Sequence, residues 1–276
     1  MSQQIKWFLK NLPPWCESLM IFAVRVIFYY CFYRGTKYIC PCCGKGSNKF
    51  KDIKTSPFSA NKAEHIETET LCTYCCSLPR QRTICYFIAN HLTKASGKKQ
   101  DILLFAPELC TERFFRRNGI TYKTSDLFRR GCDLRLDLCD IHLPDSSQDL
   151  IICSHILEHV PNDAKAMSEL SRILRKSGTA LIMTPMDLDI EYTVEEPDDI
   201  KTHHSVAKKR TDMFGQQDHV RLYGRDFISK LEVCFTVTPF DGSGVDKKIM
   251  PKFGPFAIDV NLLFVCTAKT NDSPAR

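Results

Sequence analysis

From Asp101 onward the sequence alternates short apolar runs with amphipathic stretches, and this period restricts the fold more than any other feature. Ile102–Phe105 reads as a buried strand, and Glu108 to Asn118 as a helix closed by Gly119. Ile120 to Thr124 reads as a second strand ending at Ser125-Asp126, and Leu134–Leu136 as a third ending at Asp137. Asp149 to Ser154 is the fourth, followed by a helix over Asp163 to Lys176 that Gly178 should stop, and Thr179 to Thr184 is the fifth. Strand–helix alternation of this kind predicts an α/β unit with a mostly parallel sheet covered by helices. The finish differs. After a helix near Arg225–Glu232, the runs Phe235–Pro239 and Leu262–Ala268 have no obvious helix between them, which predicts a terminal antiparallel pair at one edge.

Upstream, cysteine spacing takes over as the informative signal. Cys40-Pro-Cys-Cys43-Gly and Cys72-Thr-Tyr-Cys75 are two Cys-x-x-Cys knuckles, the spacing of a four-thiolate zinc ribbon. Cys40, Cys43, Cys72 and Cys75 are the expected ligands. Cys42 and Cys76, each one residue away, are not. Four protein ligands close the coordination sphere, so the ion should be structural. Fifteen cysteines, an odd number in a long chain, argue against a secreted disulfide framework and for a reduced, cytoplasmic setting.

Charge is unevenly spread. Residues 1–99 carry 15 Lys+Arg against 5 Asp+Glu, whereas residues 100–276 carry 23 against 27. A basic first third suits an anionic surface, and an acidic remainder makes nucleic acid the less favoured partner. Between Trp15 and Tyr33 the chain is dense in apolar and aromatic residues, broken by Glu17 and Arg25. It predicts an apolar or amphipathic helix that is packed on the protein, lies in contact with a membrane surface through residues 15–33, or spans the membrane. The expected organisation is a helix over 1–38, a zinc ribbon-like module over 39–82, the α/β domain over 83–269 and a tail over 270–276.

The strand ends carry a family resemblance. Phe105-Ala-Pro-Glu108, Asp137-Leu-Cys-Asp140, the run Ser154-His155-Ile-Leu-Glu158-His159-Val and the Glu169…Arg172-Ile-Leu174…Gly178 helix end resemble a class I S-adenosylmethionine-dependent methyltransferase, Rossmann-like in its sheet. Within that class they are most similar to the type 11 group with an amino-terminal four-cysteine cluster. The resemblance implies that Phe105, Ala106, Pro107 and Glu108 border the cofactor S-adenosyl-L-methionine. It implies that Asp126 accepts its ribose hydroxyls, that Asp137 and Leu138 flank its adenine, and that Ser154 and His155 lie under its methionine part. Glu158 and His159 are expected to brace the loop that follows. In one respect the chain departs from the pattern: Ala106-Pro-Glu108 stands where the family carries a Gly-x-Gly turn.

A long insertion over Asp187 to Gly224 is expected to form a lid, since loops of this length in a compact domain are usually binding elements. Its second half contains Arg210, Gln216, Asp218, His219, Arg221 and Tyr223. His219 with Asp218 is the expected general base, and Arg210, Gln216, Arg221 and Tyr223 are expected to meet substrate. The chain has no Asn/Asp-Pro-Pro-Tyr/Phe element of the kind that methyltransferases of exocyclic amines carry, and by analogy with the family the resemblance implies an oxygen acceptor on a small molecule or glycan precursor. An RNA methyltransferase and a non-catalytic binding module are the alternatives.

Overall fold

The computed structural model describes residues 23–55, 65–92, 100–198, 205–240 and 262–269. Residues 1–22 of the helix expected over 1–38, residues 241–261 between the last two strands and the tail at 270–276 lie outside the described residues. Residues 23–33 are helical, and Val24, Ile27, Phe28, Tyr30 and Phe32 on this segment are exposed. No helix among the described residues is long and apolar enough to cross a membrane.

The cysteine module follows. Strand β1 (Arg34–Ile39) pairs antiparallel with β2 (Gly46–Ser47), and β3 (Lys51–Thr55) pairs antiparallel with β4 (His65–Leu71). Helix α1 (Pro79–Phe87) begins directly after the second knuckle. Pro79 opens it, where a missing N–H is harmless, and the Gln81 amide oxygen accepts from the Leu78 N–H at 2.6 Å. Arg82, on the first turns of α1, is buried and donates to the carbonyls of Thr70 (2.8 Å) and Ser77 (2.6 Å). This ties the module to the helix by charge-assisted bonds.

The remaining strands are β5 (Ile102–Phe105), β6 (Lys123–Ser125), β7 (Gln148–Ser154), β8 (Leu174–Met183), the two-residue β9 (Val194–Glu195) and β10 (Arg221–Leu222), then β11 (Phe235–Phe240) and β12 (Leu263–Ala268). Six of them form one sheet in the order β11-β12-β8-β7-β5-β6. Strands β6, β5, β7 and β8 run parallel, and β12 is antiparallel to both β8 and β11. The helices are α2 (Leu109–Arg117), α3 (Asp163–Ile173), α4 (Val206–Phe214) in the insertion and α5 (Phe227–Glu232).

Each buried strand presents alternate residues to opposite faces. Leu103, Phe105, Ile151, Cys153, Ala180 and Ile182 pack with α3 and α5 on one side. Ile102, Leu104, Leu150, Ile152, Leu181 and Met183 pack on the other with α1, α2 and the cysteine module itself, through Tyr38, Cys40, Phe50 and Cys72. The module therefore shares a core with the sheet, and the boundary expected after residue 82 falls inside α1.

Three sequence expectations shift. Leu134–Leu136 makes a single parallel bridge to Ser125 and no strand, because it lies beyond the short edge strand β6 and is held instead by Leu134 N–H to Thr124 O at 3.0 Å. Helix α3 ends at Ile173, not Lys176, and the chain turns at once into β8. Gly178 consequently lies in a strand irregularity opposite Gln148, where a Cβ would come within 3.0 Å of the Gln148 carbonyl.

Candidate functional site

Among the described residues, two clusters of metal-competent side chains and a strand-end cavity stand out. The first cluster is built by the knuckles, which fold almost identically. Cys40 N–H bonds to Lys45 O and Gly44 N–H to Cys40 O in one; Cys72 N–H bonds to Ser77 O and Cys76 N–H to Cys72 O in the other. The residue after each knuckle is left-handed: Gly44 at φ 69° and Cys76 at φ 58°. Glycine suits this position, and Cys76 occupies it under strain. The turns bring Cys40 Sγ to 3.7 Å from Cys75 Sγ and Cys43 Sγ to 3.9 Å from Cys72 Sγ. Zinc–sulfur bonds of about 2.3 Å in a tetrahedron require sulfur separations of about 3.8 Å. Cys42 is buried near Cys85 and Cys110, and burial pushes its thiol pKa up, as suits an unligated core residue.

The cavity lies at the carboxyl ends of β5, β6 and β7, the edge where open α/β sheets hold ligands. It measures about 420 Å³ and is lined by Phe105 and Ala106, Ser125 to Phe128, Leu136, Leu138, His155, Ile156, His159 and Asp218. Ala106 and His155, the first residues past β5 and β7, both have positive φ (44° and 55°). Non-glycine residues rarely adopt this backbone, and such strain clusters at functional sites. Ala106 thus takes the backbone shape that a glycine turn would supply, with its N–H bonded to Ser125 O at 2.9 Å. Asp126 Oδ1 accepts from the N–H groups of Phe128 and Arg129, both at 2.8 Å, which fixes the carboxylate at the rim and leaves Oδ2 for a ligand.

Of the sequence-predicted residues, Phe105, Ala106, Asp126, Leu138, His155 and Asp218 meet at this cavity. Others stand elsewhere. Glu108 is tied to Arg80 and Gln81, both at 2.7 Å. Pro107 is buried and its carbonyl accepts from Arg129. Asp137 is exposed and accepts the Cys139 N–H, and the buried hydroxyl of Ser154 has no hydrogen-bond partner. Arg210 forms a two-pronged pair with Glu196 at 2.6 and 2.9 Å, while Gln216 is exposed.

Arg221 and Tyr223 are buried and do not line the cavity. The Arg221 guanidinium is buried and donates to the carbonyls of Leu157 (2.7 Å), Val160 and Pro161 (3.1 Å), and to Glu195 at 2.9 Å. The Tyr223 hydroxyl donates to Asp163 at 3.0 Å. The insertion is thus pinned to the turn after β7, with β9 and β10 paired as a hairpin. Sequence reasoning missed Phe128, Ile156 and, above all, His159 as cavity residues. The Leu-Glu-His-Val run is the sequence signal for His159, whose ring borders the cavity where only a bracing role is expected.

Glu158, His159 and His219 form the second cluster, with one donor atom from each within 4.8 Å of the others. Burial raises the Glu158 carboxyl to about 8. Burial, reinforced by His159, lowers His219 to about 4, so its ring is neutral at pH 7. His219 is almost fully buried, at 1% exposure, and stands behind the cavity lining, whereas Asp218 reaches the opening. Burial also pulls His155 well below the usual histidine range.

Comparison with known proteins gives matches to parts of the chain. Residues 116–182 match the type 11 family described as "Methyltransferase domain". That segment runs from the end of α2 to β8 and includes Asp126, His155, Glu158 and His159. A "Probable S-adenosylmethionine-dependent methyltransferase" of Mycobacterium tuberculosis, found in two strains, is 33% identical over 52 residues, 19% of either chain. The chain therefore aligns to about a fifth of the length of these curated relatives. Among solved structures, the PH0226 protein from Pyrococcus horikoshii OT3 is 18% identical, with a TM-score of 0.43 over 68% of this chain and 91% of that one. The CMeT domain of citrinin polyketide synthase is 14% identical, with a TM-score of 0.46 over 72% and 54%. The type 11 methyltransferase-domain match thus falls on the middle of the six-stranded sheet, from the end of α2 through β6 and β7 into β8.

Proposed function

We propose that this chain is an S-adenosylmethionine-dependent methyltransferase acting on an oxygen of a small molecule or glycan precursor. The observation that carries the reading is the strand-end cavity, about 420 Å³, with the Asp126 carboxylate anchored at its rim. The lining fits the cofactor. Leu127, Phe128, Leu136 and Leu138 offer apolar surface to a flat base, and Asp126 Oδ2 is available to accept from ribose hydroxyls. When bound, the cofactor supplies an electrophilic methyl group, so the protein's own work is alignment and proton removal. Asp218 is the proton acceptor in this reading, since its carboxylate is 64% exposed at the cavity and sits 3.4 Å from His159 Nδ1. His219, buried and neutral, serves better as a fixed wall than as the base. A structural zinc ion held by Cys40, Cys43, Cys72 and Cys75 completes the proposal, supported by the near-tetrahedral sulfur spacing.

Calorimetry with S-adenosylmethionine tests the first half. Asp126→Ala should weaken binding by about 1.5–3 kcal/mol through lost charge-assisted hydrogen bonds. Unchanged affinity in a folded variant would place the ribose elsewhere. Transfer of labelled methyl to a panel of hydroxylated acceptors tests the second half. Once an acceptor is found, Asp218→Asn should slow turnover by about 10²–10⁴-fold with cofactor affinity retained. A rate within threefold of wild type would remove Asp218 from the mechanism.

A further inference from the structure

We infer that Glu158, His159 and His219 bind a first-row divalent metal ion of the zinc class, with an open coordination position toward the strand-end cavity. The ion is distinct from any held by the four thiols. Its use, holding the acceptor oxygen, rests on the function proposed above; its binding does not.

The first observation is an unsatisfied buried carboxylate. Glu158 is 1% exposed, and its Oε2 accepts from the Thr184 hydroxyl at 3.1 Å, whereas Oε1 has no hydrogen-bond partner. A buried acceptor is normally paired, and one left over marks a place for a ligand. Oε1 faces imidazole on two sides, 3.8 Å from His159 Nε2 and 3.6 Å from His155 Nδ1.

The second observation is the tautomer of His159. Its Nδ1 lies 3.1 Å from the backbone carbonyl of Asp218, and a carbonyl can only accept. Nδ1 therefore carries a proton, which leaves Nε2, the atom nearest Glu158, as the nitrogen that can offer a lone pair to a metal. Donation from the far ring nitrogen to a carbonyl or carboxylate is how metal-bound histidines are oriented. Here the Asp218 carboxylate stands 3.4 Å from the same nitrogen as well. The third donor comes from the insertion. The His219 ring lies edge-on to His159, with centroids 4.7 Å apart and planes at 79°, and is buried.

Two imidazoles and one carboxylate form a mixed nitrogen and oxygen set that suits zinc, cobalt or manganese better than calcium or magnesium. Metal bonds near 2.0–2.1 Å would draw the donors to about 3.4 Å apart, a closure of about 1 Å that side-chain rotation supplies. The support is rigid. Val220 N–H bonds to the Glu158 carbonyl at 2.9 Å, and Arg221 holds the carbonyls on either side of the Glu158-His159 turn. Arg80, whose field reaches Glu158, is itself paired with Glu108 at 2.7 Å. His159 lines the cavity, so a fourth position on the ion opens to it, as in three-ligand sites that keep one place for water or a hydroxyl.

The full chain dialysed against micromolar zinc should hold two ions by elemental analysis, and Glu158→Gln or His219→Ala should each hold one. Cobalt substitution of the wild type provides a reading independent of variant folding. One equivalent should show thiolate charge-transfer absorption, and a second should add visible bands without it. A wild-type chain that saturates with one ion, all of thiolate character, overturns the inference in favour of a proton shared between Glu158 and the imidazoles. Calorimetry with S-adenosylmethionine on the same sample separates the two claims. Cofactor binding with a single ion sinks only the second site, and two ions without cofactor binding sink only the methyltransferase reading.

Discussion

The two donor clusters are made in opposite ways. The thiol cluster draws each pair of sulfurs from one tight turn, so its geometry is mostly local. It is buried in the apolar face it shares with α1, α2 and the sheet. The Glu158–His159–His219 cluster takes two donors from the turn after β7 and the third from an insertion 60 residues later, and one of its members borders the cavity. The first has the four matched donors of a closed, structural site. The second has three and an opening. Short-range spacing assembles the four-thiol set and long-range packing the three-donor set, so the first is fixed by two local turns and the second only by the tertiary fold.

The comparison can be broken most forcefully at the thiols. Cys72→Ser removes one of four donors and should abolish metal retention and cooperative folding of the module, since structural zinc supplies about 10 kcal/mol or more of apparent binding free energy. Because the module shares a core with the sheet, thermal unfolding of the whole chain should shift. Full zinc content and an unchanged melting temperature would mean that the four thiols are merely neighbours.

The assembled cluster depends instead on the clamp that holds the insertion. Arg221→Met strands the carbonyls of Leu157, Val160 and Pro161 and leaves Glu195 without its partner at 2.9 Å. A loss of about 3–5 kcal/mol in urea unfolding is expected, as for breaking a buried charge network. A change below about 1 kcal/mol, within the range of an exposed pair, would show that the insertion is held by other contacts.

The smallest effect sharpens the likeness between the two knuckles. Cys76 has the left-handed conformation that Gly44 has in the first knuckle. Cys76→Gly should stabilise the chain by up to about 1 kcal/mol, relief of backbone strain being partly offset by the added freedom of glycine when unfolded. A loss in melting temperature would indicate that the Cys76 side chain packs more productively than its backbone is strained.

Much of this molecule was legible before any coordinate. Short continuous apolar runs marked β5, β7 and β8, because strands buried on both faces carry apolar side chains at every position, and the absence of a helical stretch marked the antiparallel close of β11 and β12. The knuckle spacing named Cys40, Cys43, Cys72 and Cys75, since a four-residue turn carries its own geometry. Asp126, singled out by the resemblance at a strand end, lines the cavity. What did not show were the edges and the ends. Leu134–Leu136 looks like a strand but has only the three-residue β6 beside it, and Gly178 looks like a helix stop but lies in a strand irregularity.

The roles within the insertion were decided by tertiary structure alone. Arg221, Tyr223 and Arg210 have the composition of substrate contacts, yet each is used up by a partner remote in sequence: Leu157, Asp163 and Glu196. His219 beside Asp218 looks like a base with its carboxylate, but adjacent residues point apart, and here one is buried and the other reaches the cavity. Sequence by itself determined the elements, the thiol set and the ligand edge of the sheet, all of which depend on spacings of a few residues. Only the folded chain decided which polar groups meet water, which meet each other, and that His219 comes to rest against His159, because burial and pairing across 60 residues are properties of packing that no local pattern encodes.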